Sequence, residues 1–290
     1  MRIDAHQHFW TIAGPFRHGW LDVPAHAPIR RDFLPSDLKP VCALARIDGT
    51  IFIQTQHDPA ENDWALALAA ANPWIRGVVG WVDLTGPDPE DALRAARRNP
   101  KFVGVRHLVH DETDDGWLAR PDVRRGFGAL ERLGVPFDLL LRPHHLPRVP
   151  ALADAFPSLK LVIDHCAKPR IAKGPTPAWL DPLRACARRP NVFCKLSGLV
   201  TEADWTTWKP ADLAPFVRAV VDAFGPRRLM FGSDWPVCLL ASSYARWVEA
   251  LDWCLRDLPA PDRDLIFGGT AVACYGLSIP SRTLGPSHDR

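Results

Sequence analysis

Eight short apolar segments, rich in β-branched residues and bounded by Gly, Pro or Asn, recur along the whole chain. They cover residues 2–6, 50–54, 77–82, 102–106, 136–141, 160–165, 191–196 and 228–233. Most of them lack polar alternation, as in the run Val-Val-Gly-Trp-Val that begins at Val78. Continuous apolar runs of this kind are typical of parallel strands that are covered on both faces. The sequence therefore predicts eight strands of a parallel sheet.

Amphipathic helical patterns lie between these predicted strands. One begins at Asp88 and one runs from Pro121 to Gly134, and others cover residues 61–71, 178–188, 211–224 and 242–258. Alternating strands and helices predict a (β/α)8 TIM barrel, an α/β fold, as a single domain over residues 1–279, with a polar tail at 280–290. A doubly wound open sheet is the alternative, because periodicity cannot reveal closure. The first strand is not followed by a glycine-rich phosphate fingerprint, which disfavours a nucleotide-binding form of that alternative.

Composition and charge limit the partners that the chain can have. The 290 residues include 35 basic and 33 acidic ones, with a formal charge of +2. There is no long run of one sign, so we expect a small-molecule partner and neither nucleic acid nor membrane. Seven scattered cysteines predict reduced core residues of a cytoplasmic protein, and no signal peptide or apolar span of ~18 residues is recognisable. The oligomeric state, monomer or homodimer, stays open.

The segment at residues 9–34 is too long for an ordinary connection between a strand and a helix. It contains Pro15, Pro24 and Pro28 together with two tryptophans. Long ordered loops in compact domains are commonly parts of binding sites. We therefore expect this segment to fold over the barrel mouth and form part of the pocket wall.

Polar side chains stand at the carboxyl ends of three predicted strands. His6 and His8 end the first, His165 ends the sixth and Asp234 follows the eighth. An isolated His-x-His is more often a pair of solvated loop residues, and an isolated Asp more often caps a helix or forms a turn. In a barrel, however, the carboxyl ends of the strands all face the active site. The four side chains are therefore predicted to converge on one ion or one bound oxygen.

The motifs that contain these residues resemble the signature of the amidohydrolase superfamily. They are Asp-Ala-His-Gln-His at 4–8, Asp-His-Cys-Ala-Lys-Pro at 164–169 and Gly-Ser-Asp-Trp-Pro at 232–236. Together with residues 104–107, 194–205 and 229–240, they are most similar to the sugar-lactonase group, the hydrolases of L-fucono-, L-rhamnono- and galactono-lactones. The resemblance extends from the first strand to about Tyr275.

This resemblance implies that Asp234 acts as a general base on water and returns the proton to the departing ring oxygen. It also implies that His6, His8 and His165 polarise the lactone carbonyl, with or without one divalent metal held by His6, His8 and Asp234. Zinc is the first choice for nitrogen and oxygen ligands. Dinuclear members carry a bridging Lys or Glu at the end of strand 4 or 5, which this chain lacks. We therefore expect one metal at most, and no nucleotide or organic cofactor.

Further residues at strand ends are candidates for substrate binding: Trp81, Arg106, His107, Lys195 and Trp235. Arg106 and His107 are adjacent, so only one of them can face the lumen, and either could instead brace the barrel wall. Large aromatic residues in barrels are more often core than ligand contacts. His57 and Glu61 could contact substrate or start a helix, whereas His144 and His145 are expected at the surface.

Two other functions remain possible at this stage. A metal-dependent decarboxylase of an aromatic or unsaturated acid shares the barrel, the His-x-His and the strand-8 Asp, but it calls for more arginines at strand ends. A sugar-acid binding protein without catalytic activity is the non-enzyme alternative. The presence of all four proposed catalytic residues disfavours it.

Overall fold

The computed structural model describes residues 1–278 and contains one sheet of eight parallel strands in sequential order. The strands are β1 (Ile3–Gln7), β2 (Gly49–Ile53), β3 (Ile75–Gly80), β4 (Phe102–His107), β5 (Phe137–Leu139), β6 (Leu161–Ile163), β7 (Val192–Leu196) and β8 (Leu229–Phe231). A parallel bridge between Gln7 and Trp235 joins the ends of β1 and β8. The predicted (β/α)8 barrel is confirmed, whereas the predicted polar tail lies outside the described residues.

Helices surround the sheet and pack on its outer face. They are α1 (Pro35–Leu44), α2 (Pro59–Ala71), α3 (Pro89–Ala96), α4 (Pro121–Leu133), α5 (Val149–Ala155), α6 (Pro177–Ala187), α7 (Pro210–Phe224), α8 (Tyr244–Cys254), α9 (Ala260–Asp264) and α10 (Thr270–Tyr275). Six of these begin with proline, whose fixed φ and missing N–H suit the first helical position. The sequence patterns did not identify α1, which contains Pro40, or α5, which has seven residues.

The lower half of the lumen is filled by small and branched apolar side chains. This cluster contains Ile3, Ala5, Ile51, Ile53, Val79, Val162 and Met230. Helix α10 closes it from below through Ala271, Cys274 and Tyr275. The barrel is therefore a packed core with polar chemistry confined to its upper part.

All seven cysteines are free thiols; six of them are buried in the core, as expected, and Cys254 is partly exposed. None of the helices in residues 1–278 has the length and apolarity needed to cross a bilayer.

Residues 9–34, hereafter the covering segment, lie across the carboxyl ends of the strands as predicted. Trp10 and Phe33 pair through two backbone hydrogen bonds of 3.0 and 2.9 Å, which close the segment into a loop. The ring of Trp235, after β8, packs edge-on against Phe33 at 5.1 Å. At the other side His18 reaches Thr55, after β2, at 3.4 Å. The covering segment thus spans the mouth between the ends of β2 and β8.

Candidate active site

Asp234 lies at the centre of the predicted site. Its Oδ1 is 3.3 Å from Nε2 of His8, 3.8 Å from Nε2 of His6 and 3.9 Å from Nε2 of His165. None of the four residues is more than 5% exposed, so they form one nearly closed cluster at the top of the lumen. The convergence predicted from β1, β6 and β8 is observed.

Unusual backbone conformations aim two of these side chains. Asp234 has a φ of 56° and His165 a φ of 53°, and the three residues after His165 are also left-handed. This region costs roughly 1–2 kcal/mol for each residue that carries a Cβ. A Cβ on Gly198 would lie 2.6 Å from Nδ1 of His165, so only glycine leaves room for the imidazole. Strained backbone conformations at Asp234 and His165 therefore hold both side chains in the site.

The Nδ1 atom of each imidazole already has a partner. These are Asp164 Oδ1 at 3.3 Å for His6, the Ile53 carbonyl at 2.8 Å for His8 and Ser197 Oγ at 2.8 Å for His165. Because a carbonyl only accepts, the Nδ1 of His8 holds the proton and its Nε2 presents a lone pair to Asp234. Burial lowers the pKa of all three imidazoles, which favours their neutral forms. The resulting cluster of lone pairs around one carboxylate attracts a cation or a proton.

Asp234 itself is held as a carboxylate. Burial alone would raise its pKa, but the nearby His165, His8 and Lys168 bring the pKa below its ordinary value. An ionised carboxylate beside neutral imidazoles has the protonation state that a general base requires.

The donor set fits one divalent metal ion. His6, His165 and Asp234 each offer a ligand atom, and these atoms lie within 4.8 Å of one another. The prediction had His8 in place of His165; the structure groups His165 with the other two, and His8 adjoins the same carboxylate oxygen. The contact of His6 with Asp164 is the carboxylate–imidazole arrangement that orients metal-binding histidines. Nitrogen and oxygen ligands of this kind suit zinc.

A layer of buried charges lies directly beneath the cluster. Lys195 contacts Asp138 and also lies 3.0 Å from Asp164. Arg106 Nη1 is 3.3 Å from Asp164 and 3.2 Å from Nε2 of His6. Two cations thus balance two carboxylates in a region without solvent. The sequence did not identify Asp138 or Asp164, although a charged residue inside an apolar strand was a usable signal.

The structure separates the predicted substrate-binding residues. Arg106 faces the lumen and His107 faces away from it, which resolves the choice between these neighbours. The prediction that Lys195 contacts substrate is wrong for direct contact, because the side chain has no exposed surface and its ammonium is held between two carboxylates. Trp235 is 3% exposed and packs under the covering segment.

The aromatic residues near β3 and β4 form a column of four rings. His57 stacks on His107 at 3.9 Å, His107 stacks on Trp117 at 4.0 Å, and Trp81 lies 5.4 Å from His57. Trp81 Nε1 donates to His107 Nδ1 at 3.2 Å, and His107 Nε2 bonds Glu112 at 2.6 Å. Burial lowers the pKa of both histidines to about 4. Both nitrogens of His107 are therefore engaged within the protein.

A cavity of about 500 Å3 lies among the segments that follow β5, β6 and β7, and none of the four cluster residues lines it. Its wall includes Arg142, Lys168, Trp179 and Glu202. Lys168 lies 3.7 Å from Glu202, and its charge also acts on Asp234. The size is in the range of small-molecule sites.

Two histidines after β5 differ from each other. His144 is half exposed, as expected, whereas His145 is 2% exposed, so the expected surface position is wrong for His145. Nδ1 of His145 accepts the backbone N–H of Arg142 at 3.1 Å, which draws the ring inward as a local cap.

Comparison with known proteins agrees with the geometry. The amidohydrolase family model matches residues 3–277. An L-fucono-1,5-lactonase from Burkholderia ambifaria is 40% identical over 287 residues, which cover 97% of each chain. A crystal structure of an amidohydrolase from Burkholderia multivorans with bound zinc has a TM-score of 0.89 and 38% identity, covering 96% of this chain and 100% of that one.

A more distant structure, the 5-carboxyvanillate decarboxylase from Sphingomonas paucimobilis, has a TM-score of 0.69 at 16% identity over 96% of this chain and 99% of that one. That likeness is one of fold alone. With a family model spanning the barrel and a relative at 40% identity, this chain belongs to the amidohydrolase family.

Proposed function

We propose that the protein hydrolyses a sugar-derived 1,4- or 1,5-lactone to the aldonic acid. The convergence of Asp234 with three imidazole Nε2 atoms supports this proposal most strongly. The 40% identical L-fucono-1,5-lactonase makes L-fucono-1,5-lactone the first substrate to test.

Asp234 is the general base in this proposal. Its Oδ1 removes a proton from water as the oxygen adds to the lactone carbonyl, and the same carboxyl returns the proton to the ring oxygen as the C–O bond breaks. The lowered pKa keeps the carboxylate ionised at neutral pH. One group thus serves both steps.

His6, His8 and His165 orient the water and the carbonyl oxygen. His6, His165 and Asp234 would hold the ion, and what a divalent ion supplies there, zinc being the first choice, is Lewis-acid polarisation of the carbonyl. Arg106 Nη1, 3.2 Å from Nε2 of His6, adds a fixed positive charge close to the developing oxyanion. Lys195 acts as a positioning residue, because it fixes Asp164, which in turn bonds His6.

The lactone carbonyl would lie at the Asp234 cluster, and the cavity of about 500 Å3 would form an outer part of the substrate site, since its residues Lys168 and Glu202 interact electrostatically with Asp234. Arg142, Lys168 and Glu202 offer charged hydrogen-bonding groups there, and Trp179 offers an apolar face for the C–H surface of a sugar. Trp81 would border the substrate site from the end of β3, and His107 would support it from behind through the hydrogen bond from Trp81 Nε1. Trp235 would brace the covering segment from within.

We further propose that the enzyme works in the cytoplasm, as a monomer or homodimer, without a nucleic-acid or membrane partner. The seven free cysteines and the near-neutral charge of the chain support this proposal. Thiol titration of enzyme purified under native conditions, together with light scattering, would test it.

Acid release from a panel of aldono-1,4- and 1,5-lactones, followed with a pH indicator, tests the reaction. We expect turnover of at least one lactone far above its background rate, and loss of that turnover in Asp234→Asn. Background rates for every lactone, or carbon dioxide release from a dihydroxybenzoate panel, would contradict the proposal. An Asp234→Asn protein with wild-type turnover would favour a role without this chemistry.

A further inference from the structure

A row of three hydrogen-bonded side chains lies at the rim of the mouth, outside the Asp234 cluster. Glu61 of α2 accepts the backbone N–H of Thr55 at 2.9 Å through Oε2 and bonds the Thr55 hydroxyl through Oε1. The same hydroxyl lies 3.4 Å from Nδ1 of His18 in the covering segment. A carboxyl, a hydroxyl and an imidazole are thus connected in series. Neither His18 nor Thr55 was identified from the sequence.

The far nitrogen of this row has no protein partner. Nε2 of His18 is buried and makes no hydrogen bond to any residue in 1–278, and the residue as a whole is 8% exposed. A buried polar atom without a partner is costly, which makes a ligand group the natural partner for it. Burial lowers the pKa of His18, and the nearby His8 lowers it further.

We propose that His18 is a specificity-determining residue whose Nε2 binds a ring hydroxyl of the lactone, and that Glu61 sets its hydrogen-bonding role through Thr55. The identity of the ligand rests on the lactonase function proposed above. The hydrogen-bond relay from Glu61 to His18 does not depend on that function.

The row of Glu61, Thr55 and His18 has two hydrogen-bonding states, which differ by one proton on the Glu61 carboxyl. With Glu61 ionised, the Thr55 hydroxyl donates to the carboxylate, His18 Nδ1–H donates to the Thr55 oxygen, and Nε2 is an acceptor. With Glu61 protonated, the carboxyl donates to the Thr55 oxygen, the hydroxyl donates to Nδ1, and Nε2–H is a donor. One proton is gained at the carboxyl, and the imidazole stays neutral in both states. A sugar hydroxyl can pair with either form.

Burial of the Glu61 carboxyl places the change between these two states near neutral pH. Burial raises the pKa of Glu61 to about 7, although the Thr55 hydrogen bonds and the charge of Arg106 on β4 oppose the rise. His8, which directly follows β1, is the titratable group that acts on His18. We therefore expect the donor form of Nε2 below about pH 7 and the acceptor form above it.

Nuclear magnetic resonance of protein labelled with 15N-histidine tests the relay without any substrate. We expect the neutral tautomer of His18 to change from Nε2–H to Nδ1–H as the pH rises from 5 to 9, and we expect Thr55→Val to abolish that change. A single tautomer throughout this range in the wild type, or an unchanged titration in Thr55→Val, would overturn the relay. His26, on the same segment and bonded to the Trp20 carbonyl at 2.8 Å, is the internal control.

Enzyme kinetics test whether His18 binds the lactone. His18→Leu should raise KM for the best lactone about five- to tenfold and change kcat less than twofold, as expected for loss of one hydrogen bond. His26→Gln should leave both unchanged. An unchanged KM in His18→Leu would refute the ligand role.

If the wild type opens no lactone, the proposed function fails by that result alone. The ligand role is then decided by titration with a 1,5-anhydroalditol, a ring ether that cannot be hydrolysed. A shift of the His18 Nε2 signal supports the role, and no shift at saturating concentration overturns it.

Discussion

Asp234 combines a left-handed backbone with a carboxylate at the meeting point of three imidazoles. Asparagine has nearly the same shape and tolerates positive φ, so Asp234→Asn removes the charge without adding backbone strain. We expect kcat for lactone hydrolysis to fall about 10³-fold with an unchanged melting temperature. Asp257→Asn, at an exposed carboxylate, is the control. A loss of less than tenfold would mean that another group is the base.

Gly198 is constrained by its φ of +63° and by the imidazole of His165, 2.6 Å from where a Cβ would lie. Gly134 has the same φ and no atom within 4 Å of its Cβ position, so Gly134→Ala isolates the cost of the backbone conformation. We expect Gly134→Ala to lose about 1 kcal/mol of stability in urea unfolding, and Gly198→Ala to lose about 1–3 kcal/mol more because its methyl group overlaps the imidazole. Only Gly198→Ala should also lower kcat/KM, by about 100-fold, because displaced catalytic groups lose alignment. Equal activity of the two variants would contradict this role of Gly198.

At the scale of elements, β1, β6 and β8 hold their titratable groups out of water. The pKa of each imidazole lies below its ordinary value, and so does that of Asp234. The active form, with an ionised carboxylate and neutral imidazoles, therefore persists as the pH falls below the usual histidine range. We expect kcat at saturating lactone to stay level from pH 8 down through the ordinary histidine range around pH 6.5 and to decline only below that range. A decline centred at pH 6.5 would show ordinary, solvated histidines.

The charge layer joins β4, β5, β6 and β7 through Lys195 and its neighbours. Lys195→Met would leave Asp138 and Asp164 with one compensating cation, Arg106, instead of two. We expect a loss of about 3–5 kcal/mol in the free energy of unfolding. The double variant Lys195→Met/Asp138→Asn restores the charge balance and should recover part of that loss. Additive effects of the two substitutions in urea unfolding would show that the pair is not coupled.

The elements also show what the sequence could and could not predict. Apolar strands and amphipathic helices are local patterns, so the barrel and the strand-end positions of His6 and Asp234 followed from the sequence. Contacts between distant segments leave no such local pattern. Asp138 on β5 contacts Lys195 on β7, with β6 between them, and His18 of the covering segment contacts Thr55. The sequence placed Lys195 at a strand end, but it could not show that the side chain lies too deep in the lumen to contact substrate.

At the scale of the whole molecule, barrel closure creates the site. The backbone N–H of Asp234 donates to the His6 carbonyl at 2.8 Å, and that of His8 donates to the Trp235 carbonyl at 2.7 Å. These bonds join the first strand to the segment after the last one. His6 and His8 are therefore more than 200 positions from Asp234 in sequence, and they are adjacent to it only in the closed barrel.

Two other groups of side chains in residues 1–278 come close enough to bind a metal, one with His57, His107 and Glu112 and one with Asp115, His144 and His145. Three of their histidines, His57, His107 and His145, already use a lone pair to accept a hydrogen bond. His57 Nε2 accepts the Leu108 N–H at 3.0 Å, and His107 Nδ1 accepts the indole N–H of Trp81. His145 Nδ1 likewise accepts a backbone N–H, which leaves its proton on the nitrogen that faces Asp115.

The metal content of the whole protein follows from these contacts. Arg106 Nη1 lies 3.2 Å from Nε2 of His6, where it donates to the lone pair that an ion would need and adds positive charge, so it disfavours the binding of more than one cation at the cluster. We expect one divalent ion or fewer per chain when protein loaded with zinc is washed and analysed by plasma mass spectrometry. Chelation should release that ion. After the same loading with zinc, His165→Ala should contain less metal than the wild type, whereas His144→Ala should contain the same amount. Two tightly held ions per chain would refute both the assignment of the ligands and the argument that hydrogen bonds disable the other groups.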